Sequence, residues 1–149
     1  MEGKNMRDIN VKEKVQLLLK SIETSESKPV GYINASKYIQ HNLLVGDGLE
    51  GFGAILKELP ENSAKVNTVR ILEDGDYVIA HTEYNFFGPK AGFDVFRFED
   101  GLIVEHWDNL QEIMKPNPSG HTMFDGETEV KDLSKTSENK CLRLYLIVQ

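Results

Sequence analysis

Apolar residues recur three and four positions apart at Val11, Val15, Leu18 and Ile22, with Asn10 ahead of them and Glu13 three residues on. That spacing predicts a capped amphipathic helix over residues 11–22. The stretch from Glu23 to Gly31 is rich in Ser and Glu and carries Pro29, so it reads as a loop, after which Asn34 can cap a short helix through Ile39. A further helix has Asp47 as its cap, Glu50 as the capping partner, and Leu49, Phe52, Ile55, Leu56 and Leu59 as its apolar stripe, with Pro60 just beyond. Gly51 and Gly53 weaken it.

From residue 66 the period changes to two. Val66–Leu72 and Tyr77–Phe86 flank Glu73-Asp74-Gly75-Asp76, and Phe93–Phe98 and Leu102–Gln111 flank Glu99-Asp100-Gly101, which predicts two antiparallel hairpins. From Glu112 onward Pro116, Pro118, Gly120, Gly126 and many polar residues predict an irregular surface segment. At the end, alternation of Leu142, Leu144, Leu146 and Val148 suits a strand as well as a buried helix. Helices first and hairpins afterwards is the order of an α+β fold, with helices covering one face of a curved antiparallel sheet. At 149 residues the chain suits one domain with one core.

The last hairpin decides which side chains share a face. A three-residue loop of Glu99, Asp100 and Gly101 would pair Phe98 with Leu102, Phe96 with Val104 and Asp94 with His106, and alternation adds Asp108 to the same face. Two carboxylates and an imidazole then converge above an apolar floor of Phe96, Phe98 and Val104. The opposite face takes Phe93, Val95, Ile103 and Trp107, with Arg97 and Glu105 placed to pair. Carboxylates on an apolar floor are costly unless they have a partner or a task, which makes Asp94, His106 and Asp108 the candidate catalytic group. His41, with Tyr38 and Asn42 beside it, and His81 one hairpin earlier are candidate binding residues; the facing of His81 depends on the register between the hairpins.

The charge balance, 24 acidic against 17 basic side chains, gives −7 and no basic stripe, which argues against nucleic-acid partners. Cys141 is the one cysteine, and no histidine pair has the local spacing of metal ligands, so neither a disulfide nor a metal is expected. Gly46-Asp47-Gly48 and Gly51-Phe52-Gly53 lack the preceding strand and the lysine of a phosphate loop. The first ten residues are polar, and no run approaches the ~20 apolar residues of a membrane span. The expectation is a cytoplasmic protein, without a membrane partner and without a cofactor.

The strings Tyr38-Ile39-Gln40-His41-Asn42, Asp94-Val95-Phe96-Arg97 and Gly101-Leu102-Ile103-Val104-Glu105-His106-Trp107-Asp108 together resemble SnoaL-like proteins of the nuclear-transport-factor-two-like superfamily. The resemblance runs from about residue 10 to about residue 135. It implies a cone-shaped, curved antiparallel sheet wrapped around three N-terminal helices, with an internal pocket, commonly in a dimer packed through the outer sheet face. In the namesake polyketide cyclases an aspartate on the last strands is the acid/base of an intramolecular aldol closure, and Asp108 takes that place. A family histidine on the preceding strand falls on Asp94, where this sequence departs from the cyclase pattern. Thr122–Gly126 and Lys135–Lys140 resemble the linker of longer relatives that continue into a second similar domain. The expected organisation is therefore a cone domain over residues 1–135 and an extension over 136–149 that is the stump of a second repeat.

Two functions fit these residues. In the first, a cofactor-independent acid/base enzyme of aldol, cyclase or isomerase type uses Asp108 to take a proton alpha to a carbonyl, while His106 or a protonated Asp94 donates a hydrogen bond to the enolate. In the second, a non-catalytic dimeric module holds a small apolar ligand in the same pocket. Either way the expected assembly is a homodimer on the face of Phe93, Val95, Ile103 and Trp107, unless the tail from Glu112 folds back over that strip.

Overall fold

The computed structural model describes residues 9–60 and 63–147. The polar start, residues 1–8, and the last residue of the expected terminal alternation, Val148, lie outside them.

Helix α1 is Val11–Thr24. The Asn10 side chain accepts a hydrogen bond from the Glu13 N–H at 2.9 Å, and Ser25, in the left-handed region, closes the other end. Its buried stripe of Val15, Leu18 and Leu19 meets Val66, Val78, Ala80, Tyr84, Phe96, Phe98 and Ile103 in one core cluster. Each such side chain contributes roughly 1.5–3 kcal/mol when fully buried.

The segment expected to hold a second helix folds differently. A 3₁₀ turn forms earlier, at Lys28–Tyr32, and Asn34 spends its side chain on the Ser36 N–H and hydroxyl, a local turn that stops any helix after one winding. The chain then runs extended as β1, Ile39–Gln40. Helix α2 follows, Gly48–Glu58. Asp47 occupies its cap position but makes no cap bond: Oδ1 accepts from the Gln40 N–H at 2.7 Å instead, tying the helix start to β1.

Four long strands complete the sheet: β2 (Lys65–Asp74), β3 (Tyr77–Asn85), β4 (Pro89–Glu99) and β5 (Leu102–Glu112), in the order β1-β5-β4-β3-β2. The four long strands pair antiparallel, whereas β1 joins the edge of β5 in parallel through Ile39↔Glu105 and Gln40↔His106. Two helices precede the long strands, and the third, α3, follows them.

The β4–β5 hairpin departs from the expected register by two residues, and the reason is local. The turn has two residues rather than three: Asp100 and Gly101 both have positive φ, 51° and 77°, as a twist-matched hairpin turn requires. It pairs Glu99 with Leu102 and Phe98 with Ile103. A bulge then leaves Val104 without a partner, and pairing resumes as Arg97↔Glu105, Phe96↔His106 and Asp94↔Asp108. The shorter turn and the bulge each shift the ladder by one residue. Their sum is two, which restores the face of every residue beyond the bulge while changing its partner. Near the turn the faces do change: Ile103 joins the core with Phe98, not the outer strip, and Val104 is buried outside that core cluster.

Beyond β5 the chain is irregular up to a 3₁₀ turn at Leu133–Lys135, and it returns to the outer face of the sheet, where Phe124 stacks on His81. Arg70 holds it there, donating from Nε to the Glu127 carbonyl at 2.7 Å and from Nη2 to the Phe124 carbonyl at 3.1 Å. Residues Thr136–Ile147 form α3, so the terminal alternation belongs to a helix as far as it is described. Among the described residues no helix is long and apolar enough to cross a membrane.

Candidate functional site

A cavity of about 90 Å³ opens between the inner sheet face, α1 and α2. Its walls are largely apolar, among them Leu18, Leu19, Phe52, Ile55, Phe86 and Leu110. The polar groups converge at one end: Asp94 from β4, His106 and Asp108 from β5, Tyr84 from β3, and Tyr38, Gln40 and Asn42 from the extended segment around β1.

Asp94 is 3% exposed and His106 8%, so each must have its polar atoms met inside the protein. Asp94 Oδ2 accepts from the Tyr84 hydroxyl at 2.7 Å, and Oδ1 faces His106 Nε2 at 3.1 Å. On its other side, His106 Nδ1 faces Gln40 Oε1 at 3.0 Å. The backbone N–H of Asn42 donates to that same Oε1 at 3.0 Å, while Gln40 Nε2 donates to the Tyr38 oxygen at 3.0 Å. The amide orientation is thereby fixed, and Oε1 is an acceptor; the proton between it and the imidazole belongs to Nδ1. A neutral imidazole with its hydrogen on Nδ1 would turn a lone pair at Nε2 toward Asp94. The contact therefore holds one further proton, shared between Nε2 and Oδ1. Phe96 stacks on the imidazole with centroids 4.5 Å apart and fixes the ring plane.

Asp108 is half-buried, and its Oδ2 accepts from Asn42 Nδ2 at 2.6 Å. Among the described residues its other oxygen has no hydrogen bond. Burial first, then the nearby Asp108 and Asp94 carboxylates, push the Tyr38 phenol well above its ordinary range. Burial and Asp94 do the same to Tyr84. Both stay protonated at neutral pH. Tyr38, whose oxygen already accepts from Gln40, keeps its own hydrogen for an acceptor in the cavity.

Not every candidate residue lines the cavity. Phe98 is in the core nearer the turn, and Val104 is the bulged residue. His41 stands on the opposite side of its strand from Gln40 and Asn42: its ring stacks on Trp107 at 4.8 Å and its Nε2 meets Glu105 Oε1 at 2.9 Å, a carboxylate also held by Arg97. His41 and Arg97 together hold the Glu105 carboxyl below its ordinary range. His81 lies on the outer face between the rings of Phe93 and Phe124, with Arg70 Nη1 3.2 Å from its Nδ1. Burial and then Arg70 lower its basicity.

Gln40 and Tyr84 were not marked by the sequence. Gln40 carries a signal in retrospect: Tyr38, Gln40 and Asn42 alternate as an extended chain would, but the segment reads as helical through Ile39. Tyr84 reaches Asp94 only through the length of its side chain across β3 and β4, which no pattern within one strand announces.

One ligand atom from each of Asp94, His106 and Asp108 lies within 4.8 Å of the others, so two carboxylates and an imidazole form a set able to hold a cation. The 3.1 Å separation of Nε2 and Oδ1 is also that of an ordinary hydrogen bond, and a single proton satisfies it.

No family model matches the chain, and no curated protein matches it. Solved structures do. An NTF2-like protein of unknown function from Burkholderia xenovorans superposes with a TM-score of 0.61 at 16% identity, over 77% of this chain and 93% of that one. A candidate ketosteroid isomerase from Kribbella flavida gives 0.58 at 14% identity, over 80% and 90%. A candidate polyketide cyclase from Bacillus cereus gives 0.56 at 18% identity, over 66% and 72%.

Proposed function

We propose, from the NTF2-like cone fold that this chain shares with those structures as the premise, that it is a small-molecule enzyme whose Asp108 takes a proton alpha to a carbonyl without a cofactor. The observation that carries this reading is the division of roles between two facing carboxylates. Asp94 is committed to Tyr84 and to the proton it shares with His106, whereas Asp108 has one oxygen bound by Asn42 and one without a hydrogen bond among the described residues. Environments that separate two carboxyl groups in this way are how one site supplies both an acid and a base.

In this mechanism the substrate's C–H bond breaks as its proton passes to Asp108, and the electron pair moves onto the carbonyl oxygen. That oxygen takes a hydrogen bond from Tyr38, whose hydroxyl hydrogen is not committed to an acceptor among the described residues. The enolate then attacks a second carbonyl within the same molecule or regains a proton at another carbon, the aldol and isomerase outcomes respectively. The apolar walls exclude water and strengthen each of these interactions.

We also propose a homodimer through the outer sheet face, where Leu72, Tyr77, Ile79 and Phe93 are exposed to between 39% and 52%. Among the described residues the tail covers part of that face, at His81 and Arg70.

The test is deuterium exchange at the alpha carbon of a small ketone or ester in D₂O, followed by proton NMR with and without the protein. Exchange accelerated by wild type and lost in Asp108→Asn supports the acid/base role. A ligand that binds without faster exchange makes the protein a passive binding module.

A further inference from the structure

The cavity has a charge count that narrows its substrate. Its lining includes Asp94, Asp108 and His106 and no Lys or Arg. The proton shared by Asp94 and His106 leaves that pair with no net charge, and Asp108 adds a formal charge of minus one. The remaining polar groups are two phenols and two amides, which donate hydrogen bonds without adding charge. The arginines on the sheet are spent on its other side: Arg97 on Glu105, and Arg70 on backbone carbonyls of the tail. An anionic ligand would lose its hydration in this cavity and gain no cationic partner. An ammonium would pair with Asp108 and occupy the oxygen that the mechanism needs.

We infer that the substrate is an uncharged carbonyl compound, and that the pocket rejects analogues carrying a carboxylate or phosphate. The inference rests on the acid/base reading above and adds the charge class of the ligand. The whole chain's charge of −7 acts in the same direction at long range. Size acts with it: at roughly 10–15 Å³ for each water held, a cavity of about 90 Å³ has room for roughly six to nine waters, so the portion of the ligand it encloses is small.

A matched pair tests this. Methyl acetoacetate and acetoacetate share the acetoacetyl frame and differ in one ester methyl and one negative charge. Titration of each into the full-length protein, followed by ligand-observed NMR at fixed ionic strength, should give the ester an affinity at least roughly tenfold above the acid, and Asp108→Asn should narrow that gap. Acetoacetate binding as tightly as its ester overturns the inference, as does a gap unchanged in Asp108→Asn, or binding of neither compound at millimolar concentration. Deuterium exchange recorded on the same ester samples separates the two readings. An ester that is preferred but exchanges no faster than in buffer removes the acid/base function and leaves the charge selectivity standing.

Discussion

Asp94 and Asp108 are direct cross-strand partners on β4 and β5, on one face and next to the Phe96–His106 pair. Two like charges placed opposite one another oppose folding, so their arrangement costs stability that a structural role alone would not require. Asp108→Asn should therefore fold at least as well as wild type, by up to about 1 kcal/mol in denaturant unfolding. The same variant should lose about 10²–10⁴-fold in alpha-proton exchange, since an amide cannot take the proton. Equal exchange rates in the two proteins would remove Asp108 from the mechanism.

Gln40 acts through His106 and is a positioning residue. Gln40→Leu withdraws the acceptor that holds the Nδ1 hydrogen, so the imidazole should sample the other tautomer and the site should lose turnover while retaining its fold. Nitrogen-15 NMR of the histidine ring reads this directly, with a protonated Nδ1 in wild type and a mixture in the variant. Gln40→Glu, which keeps an acceptor oxygen, should restore the wild-type pattern at Nδ1.

Gly92 is required by what lies over it. A Cβ at this position would stand 2.6 Å from Cε2 of Tyr84 and 2.8 Å from Cδ2 of Leu110. Gly92→Ala should cost about 1–3 kcal/mol in thermal or denaturant unfolding, and it should displace the Tyr84 hydroxyl from Asp94. A variant as stable as wild type would show that the two side chains can move aside.

The tail should respond to pH through His81. This imidazole is less basic in the folded state than in the unfolded chain because of burial and Arg70, so the unfolded state binds its proton first as pH falls. Its contribution to stability is complete above about pH 6.5, the ordinary histidine value, and is lost as pH falls through the lower folded value. Amide protection around Phe124, taken relative to the intrinsic exchange rate at each pH, should fall below about pH 6 in wild type, and His81→Gln should flatten that dependence.

Ile79, 39% exposed on the outer face, is remote from the cavity and separates assembly from catalysis. Ile79→Arg should convert a dimer into folded monomers by light scattering. A wild-type protein already monomeric at high micromolar concentration would rule out the outer-face dimer.

The α+β order and the two hairpins were legible because period-two and period-3.6 patterns rarely coexist in one segment. Placement of Asp94, His106 and Asp108 on one face survived a wrong turn length, since alternation carries only parity and the two one-residue shifts preserved it beyond the bulge. Ile103 and Val104, next to the bulge, show the limit: their facing depends on a backbone irregularity that composition does not reveal. The extended path of residues 38–42 was hidden by the helix-like reading of Asn34, whose side chain instead closes a local turn. His81 could not be placed because its facing follows from pairing between strands, including a second bulge between Thr68 and Arg70.

The attachment of β1 to the sheet edge gives the site a lifetime of its own. Asp94, His106 and Asp108 stand on long, doubly or singly paired strands, but of the residues that orient two of them Gln40 lies on a two-residue strand paired with β5 and Asn42 just beyond it. Such an edge segment can detach at a fraction of the free energy of global unfolding. Hydrogen exchange should then report two protection levels within a few ångströms of each other, a slow one for β4 and β5 and a faster one for residues 38–42. Heating or mild denaturant would silence the site while the sheet beneath it remained intact.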